Sequence, residues 1–393
     1  MRECPVGFFQ TSNTVKMCLR PIFSATVSLR LSRDSPRLAS IQPGMKAPKK
    51  PDPLTGAQAN SWKCNAGDLQ LSCRLAIIIL NFRTPEITIE CLKTIAPEAT
   101  ANPGMQVFLI DNASGDHSAW TIQAAIDEHG WTERWLHFLQ METNLGFAGG
   151  NNLVLRELMA RSEPPEYLLL LNSDTLVQPG CIAYSKRIMD ADPRVGAFSC
   201  MLRNRDGTVQ NVCRKFPHPL REVVRAFGLP WLAPVLFRWA DLDDKGWDRT
   251  GGSRDVDWIG GAFFFARTKA LEKAGILDED FFFYGEDLEL CYRIWKSGWR
   301  VRFDPGTEII HLGGASSDST RVLNLTKSRY TWRAWFLIQR KCYGAMAEKL
   351  IRVCYLTMFA LRIGFQTLTG RGHSEKAAEL RNEFAILRGN LDQ

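Results

Sequence analysis

An apolar run, YLLLLNSD (167–174), ends in Asn172-Ser173-Asp174. A carboxylate at the end of a buried strand can hold Mg²⁺ or Mn²⁺ through one or two oxygens while the metal also takes diphosphate oxygens, or it can simply shape the turn before the next helix. Asp111-Asn112 closes a second apolar run ahead of Ser114-Gly115-Asp116. There an Asp can accept from the N–H of a pyrimidine ring, or serve as an Asx turn or helix cap. The stretch 144–152 carries Gly146, Gly149 and Gly150. That spacing is not G-x-G-x-x-G, and no acidic residue ends a strand at the later distance, so no dinucleotide fingerprint is present. Two readings remain: a loop whose backbone approaches an anion at a helix N-terminus, or a tight turn needed for packing.

Glu286 and Asp287 follow FFFYG (281–285) at the start of an amphipathic segment. A carboxylate in an apolar cleft can act as a general base with a raised pKa, and acidic residues also gather at helix N-termini because the macrodipole favours them. The aromatic wall and Gly285, which a cap does not need, favour a site. His311 ends EIIH (308–311) beside a glycine-containing loop, where imidazole is either a neutral metal ligand or a structural residue.

These residues need a scaffold, and the pattern from Leu75 onward supplies one. Apolar runs of strand length at 75–80, 107–111, 136–140 and 167–174 alternate with helical spacing at 85–95, at 119–128 and from the glycine cluster onward. Alternation of this kind predicts an α/β fold whose mainly parallel sheet has helices on both faces. Ligands of such sheets bind outside the carboxyl ends of the strands, which selects Asn81, Asp111, Asn144 and Asp174. After a helix over 179–190 the texture becomes mixed, with strands expected at 195–202, 258–266 and 299–303. A helix over 286–296 places Leu288, Cys291, Tyr292 and Trp295 on one face. This half is expected to complete the sheet and build an acceptor site.

Composition sets the outer limits. Forty-nine basic against 42 acidic residues leave a net charge of +7, spread along the chain, and no nucleic-acid reading element is present, so nucleic acid is not the expected partner. Eleven cysteines without a C-x-x-C pair point to neither a disulfide framework nor a zinc site. Residues 1–72 lack hydrophobic periodicity, and the first 50 hold only Glu3 and Asp34 as acids, so this stretch reads as disordered or processed. It is compatible with a targeting segment or with an upstream translated region ahead of Met17 or Met45. The region 326–393 reads as helical, with arginines at 333, 340, 352 and 362 interrupting apolar and aromatic residues. That pattern fits a helix lying on a membrane surface, with Trp332, Trp335 and Phe336 as contacts, better than a spanning one.

Taken in order, LAIIILNF, VFLIDNASGD, NLGFAGGNN, YLLLLNSDTLVQPG, DWIGGAFFFAR, FFFYGEDLELCYRIWKSGW and HLGGASS resemble glycosyltransferase family 2 over residues 75–317, and within it the bacterial rhamnosyltransferase-like branch. The resemblance implies a GT-A, Rossmann-like fold over 73–325, with a nucleotide-binding half (73–180) and an acceptor half (181–325), followed by the helical region. It implies that Leu80, Asn81, Phe82 and Asp111 meet the nucleoside base and that Asn144 and Gly146 line the nucleotide pocket. Asp174 matches the metal-binding Asp of a D-x-D element in which Asn172 stands for the first Asp, and His311 matches a metal-side position. Asp287, beside Glu286, matches the catalytic base, while Trp258, Gly260 and Gly261 match the sugar and acceptor segment. Arg83 departs from the Asn frequent after the first strand. The implied activity is inverting transfer of a sugar, with L-rhamnose as candidate, from a nucleoside-diphosphate donor to a glycan or lipid-linked hydroxyl in cell-envelope polysaccharide synthesis. It would use Mg²⁺ or Mn²⁺ at the inner face of the cytoplasmic membrane. Two other readings compete: a sugar-nucleotide nucleotidyltransferase, which lacks its glycine- and lysine-rich triphosphate loop at 80–86, and a catalytically idle carbohydrate-binding or scaffold protein.

Overall fold

A computed structural model describes residues 73–131, 134–243, 252–313 and 321–389, so the expectation for residues 1–72 lies outside the described residues. The first half runs β1 (Leu75–Asn81), α1 (Pro85–Ala101), β2 (Met105–Asp111), α2 (Ser118–His129), β3 (Leu136–Gln140), α3 (Gly146–Met159) and β4 (Tyr167–Asn172). The four strands are mutually parallel in the order β3-β2-β1-β4. Ala76 to Ile79 and Val107 to Ile110 are fully buried, as continuous apolar strands between two helical layers must be. Register pairs Asn81 with Asp111 and Leu80 with Asn172, so the polar strand ends line up along one carboxyl edge.

The second half adds β5 (Thr175–Val177), α4 (Cys181–Ala191), β6 (Val195–Arg203), β7 (Cys213–Arg214), α5 (Pro219–Ala226), α6 (Leu229–Leu232), β8 (Arg254–Asp255), β9 (Trp258–Ile259), β10 (Phe263–Arg267), α7 (Thr268–Ala274), α8 (Glu286–Lys296) and β11 (Arg300–His311). It extends the sheet as β4-β10-β6-β11-β5, with β10 antiparallel to both neighbours and β8 on the side of β11. β7 and β9 form a separate ribbon. The single strand expected over 258–266 is therefore two, broken at Gly260-Gly261-Ala262, and the strand expected at 299–303 continues to His311 through a register shift between Phe303 and Glu308. Gly306 lies at that irregularity, where a Cβ would collide with the Tyr184 hydroxyl.

The C-terminal region is α9 (Arg321–Tyr343), α10 (Ala345–Leu368) and α11 (Glu375–Arg388). Gly344, at φ 93°, interrupts what the sequence pattern presents as one continuous helix. Trp332, Trp335 and Phe336 are buried, which corrects their expected membrane role: they pack inward. Glu222 on α5, with no exposure, joins the layers by accepting hydrogen bonds from Trp335 Nε1 and Tyr355 Oη, each 2.9 Å away. Burial pushes its carboxyl up, against the pull of Arg225, Tyr355 and Trp335. Glu222→Ala strands both donors in the interior and is expected to cost about 3 kcal/mol, read as a lower denaturant midpoint at unchanged m-value. A loss below about 1 kcal/mol would show that the carboxylate does not hold the helices. The eight cysteines among the described residues are free, and no helix among them is long and apolar enough to cross a membrane.

Candidate active site

Asn81 and Asp111, at the ends of neighbouring strands, share one hydrogen-bond network. Asp111 Oδ1 accepts from Asn81 Nδ2 at 2.7 Å and from Ser114 Oγ at 2.5 Å, while Oδ2 accepts from the Ser114 N–H at 3.2 Å. Asp111 thus builds the turn after β2, its Asx role. Arg83 folds back onto the same turn, donating from its backbone N–H to Ser114 Oγ at 2.9 Å and from Nε to the Ser114 carbonyl at 2.8 Å. Its guanidinium lies 5.1 Å from the Phe82 ring centroid. The departure at Arg83 is accommodated by a clamp between two strand-end loops. Among the described residues, Arg83, Ala113 and Tyr284 are the non-glycine positions of positive φ, at 58°, 56° and 69°. They lie in the loops after β1 and β2 and before α8, where strain is tolerated because the surroundings over-determine the backbone.

The glycine cluster is helical rather than a loop. Gly146, at φ 71°, opens α3, and Gly149 and Gly150 lie inside it. A Cβ on Gly150 would come within 2.6 Å of Leu80 Cδ1, and one on Gly146 within 2.6 Å of the Phe282 carbonyl. Close packing is therefore what these glycines serve. It brings the aromatic loop 281–284 against the start of α3, where the Phe147 N–H donates to the Phe282 carbonyl at 3.1 Å. Asn144 Oδ1 accepts from the Gly146 N–H at 2.8 Å and from Asn112 Nδ2 at 3.0 Å, fixing this corner to the β2 loop.

On the other flank, Asp174 Oδ1 lies 3.2 Å from His311 Nε2, and Asn172 Nδ2 is 3.4 Å from the same nitrogen. Gln210 decides which side of the imidazole carries the proton. Its Nε2 donates to Asn204 Oδ1 and to the His311 carbonyl, both at 2.7 Å, leaving its Oε1 to accept from His311 Nδ1 at 2.8 Å. With Nδ1 donating to Gln210, Nε2 is the ring nitrogen turned toward Asp174 Oδ1 and the one available to a cation shared with that carboxylate. The residues fit a divalent metal as a two-ligand site: among the described residues no cluster of three His, Cys, Asp or Glu is present.

Asp287 and Glu286 begin α8 behind Gly285, at φ 93°. Asp287 Oδ2 accepts from the Gly261 N–H at 2.9 Å and Oδ1 from the Leu288 N–H at 2.7 Å. Glu286 is buried, and its Oε2 has no hydrogen-bond partner among the described residues. Burial, reinforced by the neighbouring Asp287, pushes the Glu286 carboxyl up to about 8. Burial also raises Asp287, opposed by the Leu288 and Gly261 N–H groups and by the Arg214 guanidinium. With these stabilising partners gathered on Asp287, the pair holds its negative charge there and its proton on Glu286. Arg214 in turn lies 5.5 Å from the Trp258 ring centroid, across the β7–β9 ribbon. Trp258 is buried, donating from Nε1 to the Lys215 carbonyl at 3.2 Å.

One short segment joins the two flanks. The Asn172 N–H donates to the Ala262 carbonyl at 3.0 Å, and the Gly261 N–H holds Asp287, so the Asp174–His311 and Glu286–Asp287 pairs border the same break between β9 and β10. A Cβ on Gly260 would meet nothing within 4 Å, whereas one on Gly261 would sit 3.7 Å from Asp287 Oδ2 and 3.8 Å from Phe147. The family described as Glycosyltransferase like family 2 matches residues 73–331. The chain belongs to this family. Among its curated relatives, the N-acetylglucosaminyl-diphospho-decaprenol L-rhamnosyltransferase of Mycobacterium tuberculosis is 29% identical over 225 residues, covering 54% of this chain and 68% of the relative. Rhamnosyltransferase WbbL of Escherichia coli is 26% identical over 172 residues, 42% of this chain and 60% of the relative. Among solved structures, the mannosyltransferase PcManGT from Pyrobaculum calidifontis in complex with GDP-Man and Mn²⁺ has a TM-score of 0.47 at 15% identity, covering 80% of this chain and 84% of that one. TarS 1–349 of S. aureus in complex with UDP-GlcNAc has a TM-score of 0.46 at 14% identity, with 81% and 80% covered.

In this family 2 glycosyltransferase the expected Asn81, Asp111, Asn144 and Gly146 share one hydrogen-bonded corner at the ends of β1 and β2 and the start of α3, and the expected Asn172, Asp174, His311, Gly261 and Asp287 gather around the β9–β10 break. Sequence reading missed Gln210 and Arg214, which lie outside the ordered motifs, and gave no role to Ser114 and Phe147, which lie inside them. Glu286 gives the family 2 site a pH signature. Its unfolded-state value is 4.5 and its folded value about 8, so between these the folded state binds the extra proton. The stabilisation is full below the lower value and is lost as pH rises through the upper one. Melting temperature is expected to fall from about pH 5 to about pH 8, and Glu286→Gln to flatten that slope; identical profiles for the two proteins would refute the assignment.

Proposed function

We propose that this glycosyltransferase is an inverting hexosyltransferase that moves a sugar, with L-rhamnose the first candidate, from a nucleoside diphosphate to a hydroxyl of a glycan or lipid-linked acceptor in envelope polysaccharide synthesis. The observation that carries the reading is the Asp287 carboxylate, gripped by the Gly261 and Leu288 N–H groups across a bare glycine break from the Asp174–His311 pair. The mycobacterial and E. coli rhamnosyltransferases support the sugar, and the decaprenol in the name of the former supports a lipid-linked acceptor.

In this reading residues 73–180 form the nucleotide-binding half and 181–325 the acceptor half. The strand ends at Leu80, Asn81, Phe82 and Asp111 receive the base, and Asn144, Gly146 and Asn172 border the donor. Asp174 and His311 would hold Mg²⁺ or Mn²⁺, which supplies neutralisation of the leaving diphosphate. Gly260 and Gly261, with Trp258 behind them, leave room for the acceptor hydroxyl beside Asp287. Asp287 then takes the hydroxyl proton as the oxygen attacks the anomeric carbon on the face opposite the diphosphate. A single displacement needs one base and inverts the centre. Protonated Glu286 keeps the negative charge of the pair on Asp287.

The test is a mass-spectrometric screen of dTDP-, UDP- and GDP-sugars against lipid-linked acceptors, with the anomeric configuration of the product read by NMR. An inverted glycoside is expected. A retained configuration would reject the mechanism. Release of pyrophosphate from a nucleoside triphosphate and a sugar phosphate would establish the nucleotidyltransferase reading instead, and donor binding without any turnover would establish the idle-protein reading.

A further inference from the structure

α10 buries Ile351, Cys354 and Tyr355 against the domain and leaves its other side uncovered. On that side Met346, Leu350, Val353, Leu361, Phe365 and Leu368 are 77%, 52%, 59%, 60%, 61% and 89% exposed. Their spacing puts them on one helical stripe, filled in by exposed Thr357, Ala360 and Gly364, with Lys349 as its charged residue. At 24 residues the helix is about 36 Å long. A second apolar surface follows α6, where Leu232, Val235 and Leu236 are 65%, 92% and 69% exposed. This second surface borders α10 itself: α5 packs on α10, and a Cβ on Gly228, just before α6, would sit 3.4 Å from Nη2 of the half-buried Arg362, which lies off the exposed stripe. Apolar exposure on this scale marks an interaction surface.

Charge selects the partner. Residues 321–393 hold thirteen Lys and Arg against five Asp and Glu. Exposed Arg238 lies between Leu236 and Trp239, Lys349 on the stripe, and Arg371 three residues beyond its end at Leu368. An apolar face edged by cations, on a helix too polar to span, matches a bilayer surface with anionic headgroups, into which the stripe sinks while the basic side chains meet phosphate. We infer that the outer face of α10, together with the segment 232–239, is a membrane-docking surface for anionic lipid. The inference deepens the proposed function and rests on it for purpose, since a lipid-linked acceptor is reached from a bilayer surface.

The test is flotation of the full chain with vesicles of phosphatidylcholine alone or mixed with phosphatidylglycerol. The wild type is expected to float with the anionic vesicles and to be released by high salt. The double variant Leu350→Glu/Val353→Glu is expected to bind about tenfold more weakly or worse at an unchanged melting temperature, because the altered side chains face solvent. Lys349→Ala/Arg238→Ala should weaken binding to the anionic vesicles and reduce its salt dependence. Absence of wild-type flotation, or equal flotation of the Glu variant, would overturn the inference. So would analytical ultracentrifugation in which the Glu variant turns a dimer into a monomer while vesicle binding persists, since a second copy would then cover the stripe. Transfer to a water-soluble acceptor analogue, measured alongside, separates the two readings. Flotation without transfer rejects the proposed function alone, and transfer without flotation rejects the docking surface alone.

Discussion

Asp287→Asn is expected to lower the transfer rate by about 10²- to 10⁴-fold while leaving donor affinity within a few-fold of wild type. The amide keeps the shape of the side chain but accepts no proton at neutral pH, so the chemical step alone suffers. The replacement is not silent structurally. Both carboxylate oxygens accept backbone N–H groups, from Gly261 and Leu288, and an amide must turn its NH₂ toward one of them. A loss of about 1 kcal/mol accompanies the change and is measured separately as a shift in melting temperature. Glu286→Gln is the informative partner. Glu286 already holds a proton at neutral pH, being pushed up to about 8, so its amide mimics the resting state and transfer should survive. Substantial transfer by Asp287→Asn, or its loss in Glu286→Gln alone, would move the base to Glu286.

Asp174→Ala is expected to remove metal-dependent donor binding, with at least a hundredfold loss of Mn²⁺ affinity in the presence of nucleoside diphosphate. The magnitude follows from the small proposed ligand set: the protein would contribute Asp174 and His311, and no third acidic, His or Cys residue joins them among the described residues. Paramagnetic titration of Mn²⁺ reads this without turnover. Gln210→Ala gives a graded companion. Without the Gln210 acceptor, His311 Nδ1 no longer fixes the tautomer that turns Nε2 toward Asp174, and Mn²⁺ affinity is expected to drop about 10- to 100-fold. Unchanged Mn²⁺ binding in Asp174→Ala would remove the metal assignment while leaving Asp287 untouched, because Asp287 has partners of its own in the Gly261 and Leu288 N–H groups.

The sheet was legible because buried parallel strands are continuous apolar runs, and each run stops where a polar residue meets the carboxyl edge: Asn81, Asp111 and Asn172 do so. α8 was legible to the residue, since Gly285 marks its start and its apolar face repeats at helical spacing. The mixed half was less so. An apolar run such as 258–266 carries no periodicity that marks a break, and the break at Gly260-Gly261-Ala262 appears only where β9 leaves to pair with β7 while β10 enters the main sheet.

The sequence by itself determined the α/β class, the family resemblance and the residue types at the strand ends, because those properties are written in local pattern and ordered motifs. Only the tertiary structure decided partners. It paired Asp174 with a histidine from β11 and placed Gln210 behind that histidine. It spent the Asp111 carboxylate on Ser114 and Asn81, used the glycine cluster to bring Leu80 and Phe282 close, and turned Trp332, Trp335 and Phe336 inward while leaving the α10 stripe outside. A helical pattern says which residues share a face, but which of two apolar faces is buried depends on what packs against it. For α10 that is α9 and α11 together with α5, whose buried Glu222 accepts a hydrogen bond from Tyr355 of α10 and another from Trp335 of α9, and so fixes which side of α10 meets the solvent.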